Sequence, residues 1–511
     1  MNFFYLNGEN DPLDINIKNQ IFTQETNNNN DNDTPIISIT NDDGECCPII
    51  QCVSSLTNQL PLSLQNLDIG VYPDNSEYNN SRLIYNKLLN FFPLSIFYPK
   101  DANEASYLIK NIVQNNLKFS IRAGGHGYEG TSLSSGVVID VTKLKEYVQV
   151  SDDRKSVTVS SGFRLGKLAS ELSKEKLILP TGECACVGLS GISLSGGKTP
   201  LSRIFGLMCE NVLSVKLINY KGDIINANNN ENPDLLWALK GAGQCNFGVV
   251  TEFTIRGHED VYFYKNTYVW KWNKDQAMQI LQTYQNWYIS INKNIHSSFG
   301  IIYLNGSVTI ELKVVKYSKE LLTEDNIFAS LFKPTITKVS GMYSENLNSF
   351  ISSCGNNFYP FNKISSNMIF KPINYFGLLV IINSFEKQIQ NNYNLLYELN
   401  FSQLGGEVEN GTGCYYPKKA ISVLSYYFEW ADVEITENIL SFSKNLYLKL
   451  QGYTSIYSFP SLCDYNIEDY MTKYYGDNKY RLINIKKKYD PYNVFNTKQS
   501  IKEDKTFFLF K

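Results

Sequence analysis

The chain predicts an α+β protein in two parts, and three features of its 511 residues carry that prediction. Helical stripes and short apolar strands alternate between about Asp101 and Arg256. Glycine-rich stretches interrupt them. Beyond about Glu259 the pattern changes to aromatic, alternating strands and helices separated by Gly-rich turns. A chain of this length buries more than one core, because ~150 residues is the usual size of a domain.

In chain order, the residues up to about Thr34 are rich in Asn and Asp, with the run Asn27-Asn-Asn-Asn-Asp31, and show no apolar period. They read as a poorly ordered tail. Between Asp101 and Asn116, Ala105, Leu108, Ile109 and Ile112 recur at steps of three and four, the stripe of a helix packed on one face. A strand follows at Lys118 to Arg122, then a glycine-rich loop, strands at Val137 to Val141 and Ser156 to Ser160, and a helix from Gly166 to Lys176. Val212 to Asn219 is a strand, Tyr220 to Asp223 a turn, Asp234 to Lys240 a short helix capped by Asn232-Pro233, and Val249 to Ile255 a closing strand. In the second part, the apolar run Phe376 to Ile382 is far shorter than the ~20 residues that span a bilayer and reads as a buried strand. Gly405-Gly406 and Gly411 to Gly413 mark turns.

Composition removes several function classes. Apolar residues are 43%, charged residues 19% and the net charge is -3, so there is no basic footprint for nucleic acid and no membrane span is expected. The first ten residues lack the basic start and apolar core of a secretory signal, which leaves the compartment open. The 10 Cys form no facing pairs of CxxC motifs, and His126, His258 and His296 are the chain's three histidines. No metal site is expected from that set.

Four glycine-rich stretches lie between residues 123 and 248: Ala123 to Gly127, Gly188 to Gly197, Gly206, and Gly241 to Gly248. A residue without Cβ lets backbone N–H groups close on a diphosphate. None of the four fits Walker A or a GxGxxG opening a helix, so they point to a large nucleotide cofactor wrapped by several loops. His126, between two glycines, is either hydrogen-bonded to a phosphate or joined to the cofactor. Cys184, in Pro180 to Gly188, is either an inert buried thiol or a thiolate bonded to a cofactor ring, with Cys186 as its rival.

These residues resemble the berberine bridge enzyme-like FAD-linked oxidases, within the p-cresol methylhydroxylase and vanillyl-alcohol oxidase group. Arg122-Ala-Gly-Gly-His126 matches the family's R-x-G-G-H, and Gly182 to Gly188 matches G-x-C-x-x-V-G. Ser202-Arg203, Phe205-Gly206-Leu207 and Asn211 match S-R-x-Y/F-G-L-x-x-D-N, and Asn246 to Thr251 matches N-F-G-I/V-V-T. Near the C-terminus, Tyr474 to Asn478, Arg481-Leu482, Lys488 to Phe495 and Gln499 to Ile501 follow in order, so the likeness covers roughly Phe92 to His258 and Tyr474 to Ile501.

The resemblance implies an N-terminal extension over 1–80, a PCMH-type FAD-binding domain of two subdomains over 81–259, and a substrate domain over 260–458. The last has an antiparallel sheet covered by helices, and a segment over 459–511 returns to the FAD domain. It implies FAD bonded through its 8α-methyl carbon to His126 and through C6 to Cys184, which raises the flavin potential and leaves the site open to bulky substrates. Arg122, Ala123, Gly124, Gly125, Gly127, Val187, Gly188, Gly191, Gly196, Gly197, Gly248, Val250 and Asn478 are the other expected cofactor contacts. Tyr128 and Tyr474 match the family's active-site tyrosines. A tyrosine of ordinary pKa, about 10, needs a cation or strong donors to act as a base near neutral pH, and Lys198 is the candidate cation.

The implied reaction is hydride transfer from a small alcohol, a saccharide or secondary metabolite, to flavin N5, with O2 as acceptor; Val187 favours O2. The implied state is a monomer or weak oligomer. Ser195 and Thr199 replace family glycines, and Ser425 stands where relatives have Glu or Gln. Those departures keep two alternatives in view: a dehydrogenase with another acceptor, and a flavin-binding protein without catalysis.

Overall fold

A computed structural model describes residues 59–353 and 359–502, with the short strands Phe22–Thr23, Ser38–Thr40 and Cys46–Cys47 ahead of them. The tail expected up to Thr34 lies, apart from Phe22–Thr23, outside the described residues. A four-stranded sheet comes first: Gly70–Val71 (β1), Ser95–Phe97 (β2), Phe119–Arg122 (β3) and Val137–Asp140 (β4), in the order β1-β2-β4-β3. Strand β4 is parallel to both β2 and β3. Parallel neighbours require a crossover, and helix Ala102–Gln114 (α1) provides the one from β2 to β3. The Asp101 side chain caps it by accepting from the N–H groups of Asn103 and Glu104, and Ala105, Leu108, Ile109 and Ile112 are all buried.

The second sheet is antiparallel and has five strands: Val148–Val150 (β5), Ser156–Ser160 (β6), Val212–Ile218 (β7), Ile224–Asn228 (β8) and Val249–Arg256 (β9). Their order is β8-β7-β9-β6-β5. Between them run helices Leu165–Lys174 (α2), Leu189–Ser195 (α3) and Pro233–Ala242 (α4). Most of the glycine-rich stretch from Gly188 to Gly197 is thus helical, with Gly191 inside the helix; Gly196 and Gly197 terminate α3 at φ 143° and 75°. Asn232 does not cap α4 through its side chain: at φ 50° the amide turns away and donates to the Asn226 carbonyl at 2.7 Å.

Seven antiparallel strands form the third sheet: Tyr262–Lys271 (β10), Ile295–Leu304 (β11), Ser307–Tyr317 (β12), Thr335–Met342 (β13), Phe361–Ile369 (β14), Leu395–Gln403 (β15) and Ser422–Trp430 (β16). Their order is β13-β10-β12-β11-β15-β16-β14. Helices Lys274–Tyr288 (α5), Tyr375–Asn391 (α6) and Thr436–Gln451 (α7) pack together and against this sheet. The run Phe376 to Ile382 lies inside α6 and is not a strand. Asn374 starts the helix by accepting from the Gly377 N–H at 3.0 Å, and Leu378, Ile381, Ile382 and Phe385 form a buried stripe while Phe376 is 66% exposed. Seven consecutive apolar residues fit either period, so only packing separates the two readings.

The chain then returns. Tyr470–Tyr475 (α8) leads into Asn478–Tyr489 (α9), which packs on α4, with Lys488 Nζ 2.7 Å from Asp234. Lys486 donates to the Asn246 carbonyl at 2.7 Å and the Ile501 N–H to Asn246 Oδ1 at 2.9 Å.

One core residue makes the fold sensitive to acid. His296 on β11 is 3% exposed, and neither ring nitrogen has a partner among the described residues. Burial, assisted by the Arg203 cation, lowers its pKa to about 3. The unfolded chain therefore holds more protons than the native one between about pH 3 and 6.5, so stability rises with pH across that window and is lost on acidification. His296→Leu is expected to shrink the loss of urea stability between pH 7 and pH 5 by about 2 kcal/mol. An unchanged difference would remove His296 from the acid response.

Candidate active site

Two backbone loops cross where the first and second sheets meet, and glycine permits the crossing. A Cβ on Gly124 would lie 2.2 Å from the Gly188 nitrogen, and one on Gly188 2.2 Å from the Gly124 nitrogen. Arg164 staples the crossing by donating to the carbonyls of Gly124 at 3.3 Å and Cys186 at 2.6 Å. With the loops locked together, Cys184 Sγ comes to 3.4 Å from His126 Nε2. Cys186 is disulfide-bonded whereas Cys184 is a free thiol, so of the two neighbouring cysteines only Cys184 is available to a ligand. Gly124→Ala is expected to cost ~1–3 kcal/mol of stability by forcing the loops apart. A wild-type urea midpoint would contradict this crossing.

His126 and Cys184 lie on the wall of a cavity of about 490 Å³. Of the expected contacts, Ala123, Gly124, Gly125, Gly127, Tyr128, Val187, Gly188, Gly191, Gly197, Lys198, Gly248 and Val250 line it too. Four residues expected there do not. Arg122 turns to Asp140 in a buried ion pair and to the Tyr98 hydroxyl at 3.3 Å. Gly196 packs against Ser461 and Phe459. The buried Tyr474 hydroxyl accepts from the Asp464 N–H at 3.0 Å. Asn478 donates to the Cys414 carbonyl at 3.0 Å and borders a different cavity. Tyr474 and Asn478 belong to the returning segment, but its cavity-facing part is Phe459, Ser461 and Leu462.

The cavity fits a flavin nucleotide on observations independent of any motif. Nothing stands within 4 Å of a Cβ built on Gly191, so the backbone there is open to a ligand. Ser132 lines the cavity with a buried hydroxyl that has no partner among the described residues. Burial, with Arg164 adding to it, lowers the His126 pKa to about 4, so its imidazole is neutral and nucleophilic at physiological pH. His126 is not bare, as its glycine neighbours suggest: Tyr85 stacks on it with ring centroids 3.8 Å apart and 22° between planes.

The far wall comes from the seven-stranded sheet and holds a residue that sequence reasoning missed. Glu398 on β15 faces the cavity, and Asn400 donates to it at 3.1 Å. Polar residues at alternate positions of this strand, Glu398, Asn400 and Ser402, share one face, and that was the available signal. In register, Asn400 opposes Ser425 and Glu398 opposes Tyr427. Burial raises the Glu398 pKa, opposed by Asn400 and by the Lys313 and Lys198 ammonium groups. Burial also raises the Tyr128 hydroxyl far above the tyrosine range, and the nearby acids Glu429 and Glu398 push it the same way.

The fold is that of the PCMH-type FAD oxidases. An FAD binding domain matches residues 93–228, and a domain described as berberine and berberine like matches residues 427–502. In both regions the chain is similar to berberine bridge enzyme-like FAD-linked oxidoreductases. It is 28% identical to an uncharacterised FAD-linked oxidoreductase of Bacillus subtilis over 84% of this chain and 95% of that one. Among solved structures, it is similar to Physcomitrella patens BBE-like 1, with a TM-score of 0.77 and 24% identity over 89% of this chain and 99% of the other. Xylooligosaccharide oxidase from Myceliophthora thermophila C1, solved with xylobiose, has the same fold at a TM-score of 0.77 and 19% identity, over 90% of this chain and all of that one. Among the described residues, no helix is long and apolar enough to cross a membrane.

Proposed function

We propose that this oxidoreductase carries FAD bonded to both His126 and Cys184 and oxidises an alcohol of a saccharide or secondary metabolite, with O2 as electron acceptor. The observation that carries the reading is the 3.4 Å approach of a free thiol to a neutral imidazole on the wall of one cavity. In this reading residues 81–259 bind the cofactor, 260–458 shape the substrate pocket, 459–511 form a returning segment of which Phe459, Ser461 and Leu462 face the cavity, and 1–80 form an extension. The saccharide assignment draws on the fold shared with an oxidase solved with xylobiose.

Bound FAD supplies an acceptor for the substrate hydride and a route for the electron pair to dioxygen, which leaves as hydrogen peroxide. The chain supplies position and a proton acceptor. We assign the acceptor to Glu398: Asn400 orients its carboxylate, and burial raises its proton affinity toward the range where a base works near neutral pH. Tyr128 shapes the pocket, since no cation holds its phenolate. Lys198, on the wall of the same cavity, opposes the effect of burial on Glu398 and so favours its ionised form. Tyr474 acts from behind, holding the Asp464 turn. With FAD bound to accept the hydride, Glu398 would take the hydroxyl proton of the carbinol. Val187 beside Cys184 supports O2 over other acceptors.

Mixing the full chain anaerobically with xylobiose, cellobiose, chitobiose and simple primary and secondary alcohols tests this. At least one should bleach the flavin and yield peroxide on admission of air. No bleaching across the panel would favour a flavin-binding protein without catalysis. Bleaching that air reverses slowly and a quinone quickly would favour a dehydrogenase.

A further inference from the structure

The imidazole of His126 sits between two glycines, in a loop that by itself leaves the ring free to turn. The segment Ile84 to Asn86 removes that freedom. The Tyr85 N–H donates to the Gly125 carbonyl at 2.9 Å, the Asn86 amide donates to the Tyr128 carbonyl at 2.8 Å, and the Ile84 side chain lies against Gly125. Both flanks of His126 are gripped by one short stretch, and the Tyr85 ring lies face-on to the imidazole at 3.8 Å. The Tyr85 ring is itself held at its hydroxyl, 3.0 Å from the Tyr427 hydroxyl and 3.5 Å from Glu429 Oε1, while Tyr427 also donates to Glu429. Tyr427 and Glu429 belong to β16, so the chain of contacts runs from the substrate-side sheet to the attachment loop.

Building on the reading of His126 as a flavin anchor, we propose that Tyr85, held by Tyr427 and Glu429, is a positioning residue that fixes the His126 imidazole for covalent attachment. Forming the N–C bond breaks one C–H bond of the flavin methyl group and the imidazole N–H bond. Two protons leave, and the electron pair enters the flavin ring system and departs to dioxygen, which is reduced to hydrogen peroxide. The step requires the ring nitrogen to stay in line with the methyl carbon, and a stacked, tethered partner raises the fraction of time it does so. Burial raises the Tyr85 pKa to about 12, so it remains a neutral phenol and a donor across neutral pH. Attachment to His126 therefore depends on the third sheet being folded, whereas the Cys184 loop is held by its own bridge to Ser352.

The test uses the full chain produced with FAD, as wild type, Tyr85→Phe, Tyr85→Leu and Tyr427→Phe. Total bound flavin is measured by absorbance, and flavin on the His126 and Cys184 peptides by mass mapping after denaturation. In Tyr85→Leu the His126-linked fraction should fall at least about tenfold, with Cys184-linked and total flavin retained. Tyr85→Phe keeps the stack and should restore most of the linkage; Tyr427→Phe should lower it by about threefold through the lost tether. Wild-type His126 linkage in Tyr85→Leu overturns the proposal, as does parallel loss of both linkages and of bound flavin, which marks a merely structural residue. A wild-type chain with no flavin on His126 overturns instead the anchor reading beneath it.

Discussion

Glu398→Gln is expected to slow anaerobic flavin reduction by any active alcohol ~10²–10⁴-fold, the usual contribution of a positioned base, while flavin content stays at the wild-type level. Gln keeps the volume and the ability to meet the Asn400 amide but cannot take a proton. The wild-type rate should fall as the pH drops through the Glu398 pKa, because the base acts only when ionised, and burial moves that limb upward from the ordinary glutamate range. In the variant the limb should vanish. Stopped-flow reduction across a pH series measures both effects. A variant with wild-type rate and the same limb would return the base to another group, and the Lys198→Met variant then shows whether the cation matters independently.

Removing the anchors gives the second large effect. His126→Ala and Cys184→Ser should each leave one covalent bond, and the double variant should lose all of its colour to the supernatant on acid precipitation. Gel fluorescence under denaturing conditions, followed by peptide mass mapping, reads each bond separately. The potential should fall with each lost bond. A drop of ~60 mV in this two-electron couple would shift the hydride-transfer equilibrium about 100-fold, so reduction by a poor donor should fail before cofactor binding does. Wild-type protein that releases all its yellow colour on precipitation would sink the covalent claim at once.

Much of the fold was legible because local patterns were strong. The helix at Ala102–Gln114 and the strand at Ser156–Ser160 follow from spacing alone. The helix at Tyr375–Asn391 did not, since a continuous apolar run carries no period and only the exposure of Phe376 shows which face it hides. At the site, the loop glycines and the His126 and Cys184 motifs could be read locally. Glu398 could not be chosen from the sequence, because its meaning depends on facing the cavity across two sheets. Tyr474 and Asn478 sit in a strong C-terminal match, yet their side chains point to Asp464 and Cys414.

The sequence by itself determined the cofactor class and the two candidate anchors, since closing loops around a large nucleotide demands residues without Cβ at set places, and those places are visible as motifs. Tertiary structure alone decided how these two candidates are placed. Gly124 and Gly188 cross closely enough to bring His126 to Cys184, Tyr85 arrives from far earlier in the chain to hold the imidazole, and β15 brings Glu398 to the opposite wall. Reactivity depends on the distances and solvation of groups that are remote in sequence, and these exist only once the sheets have packed.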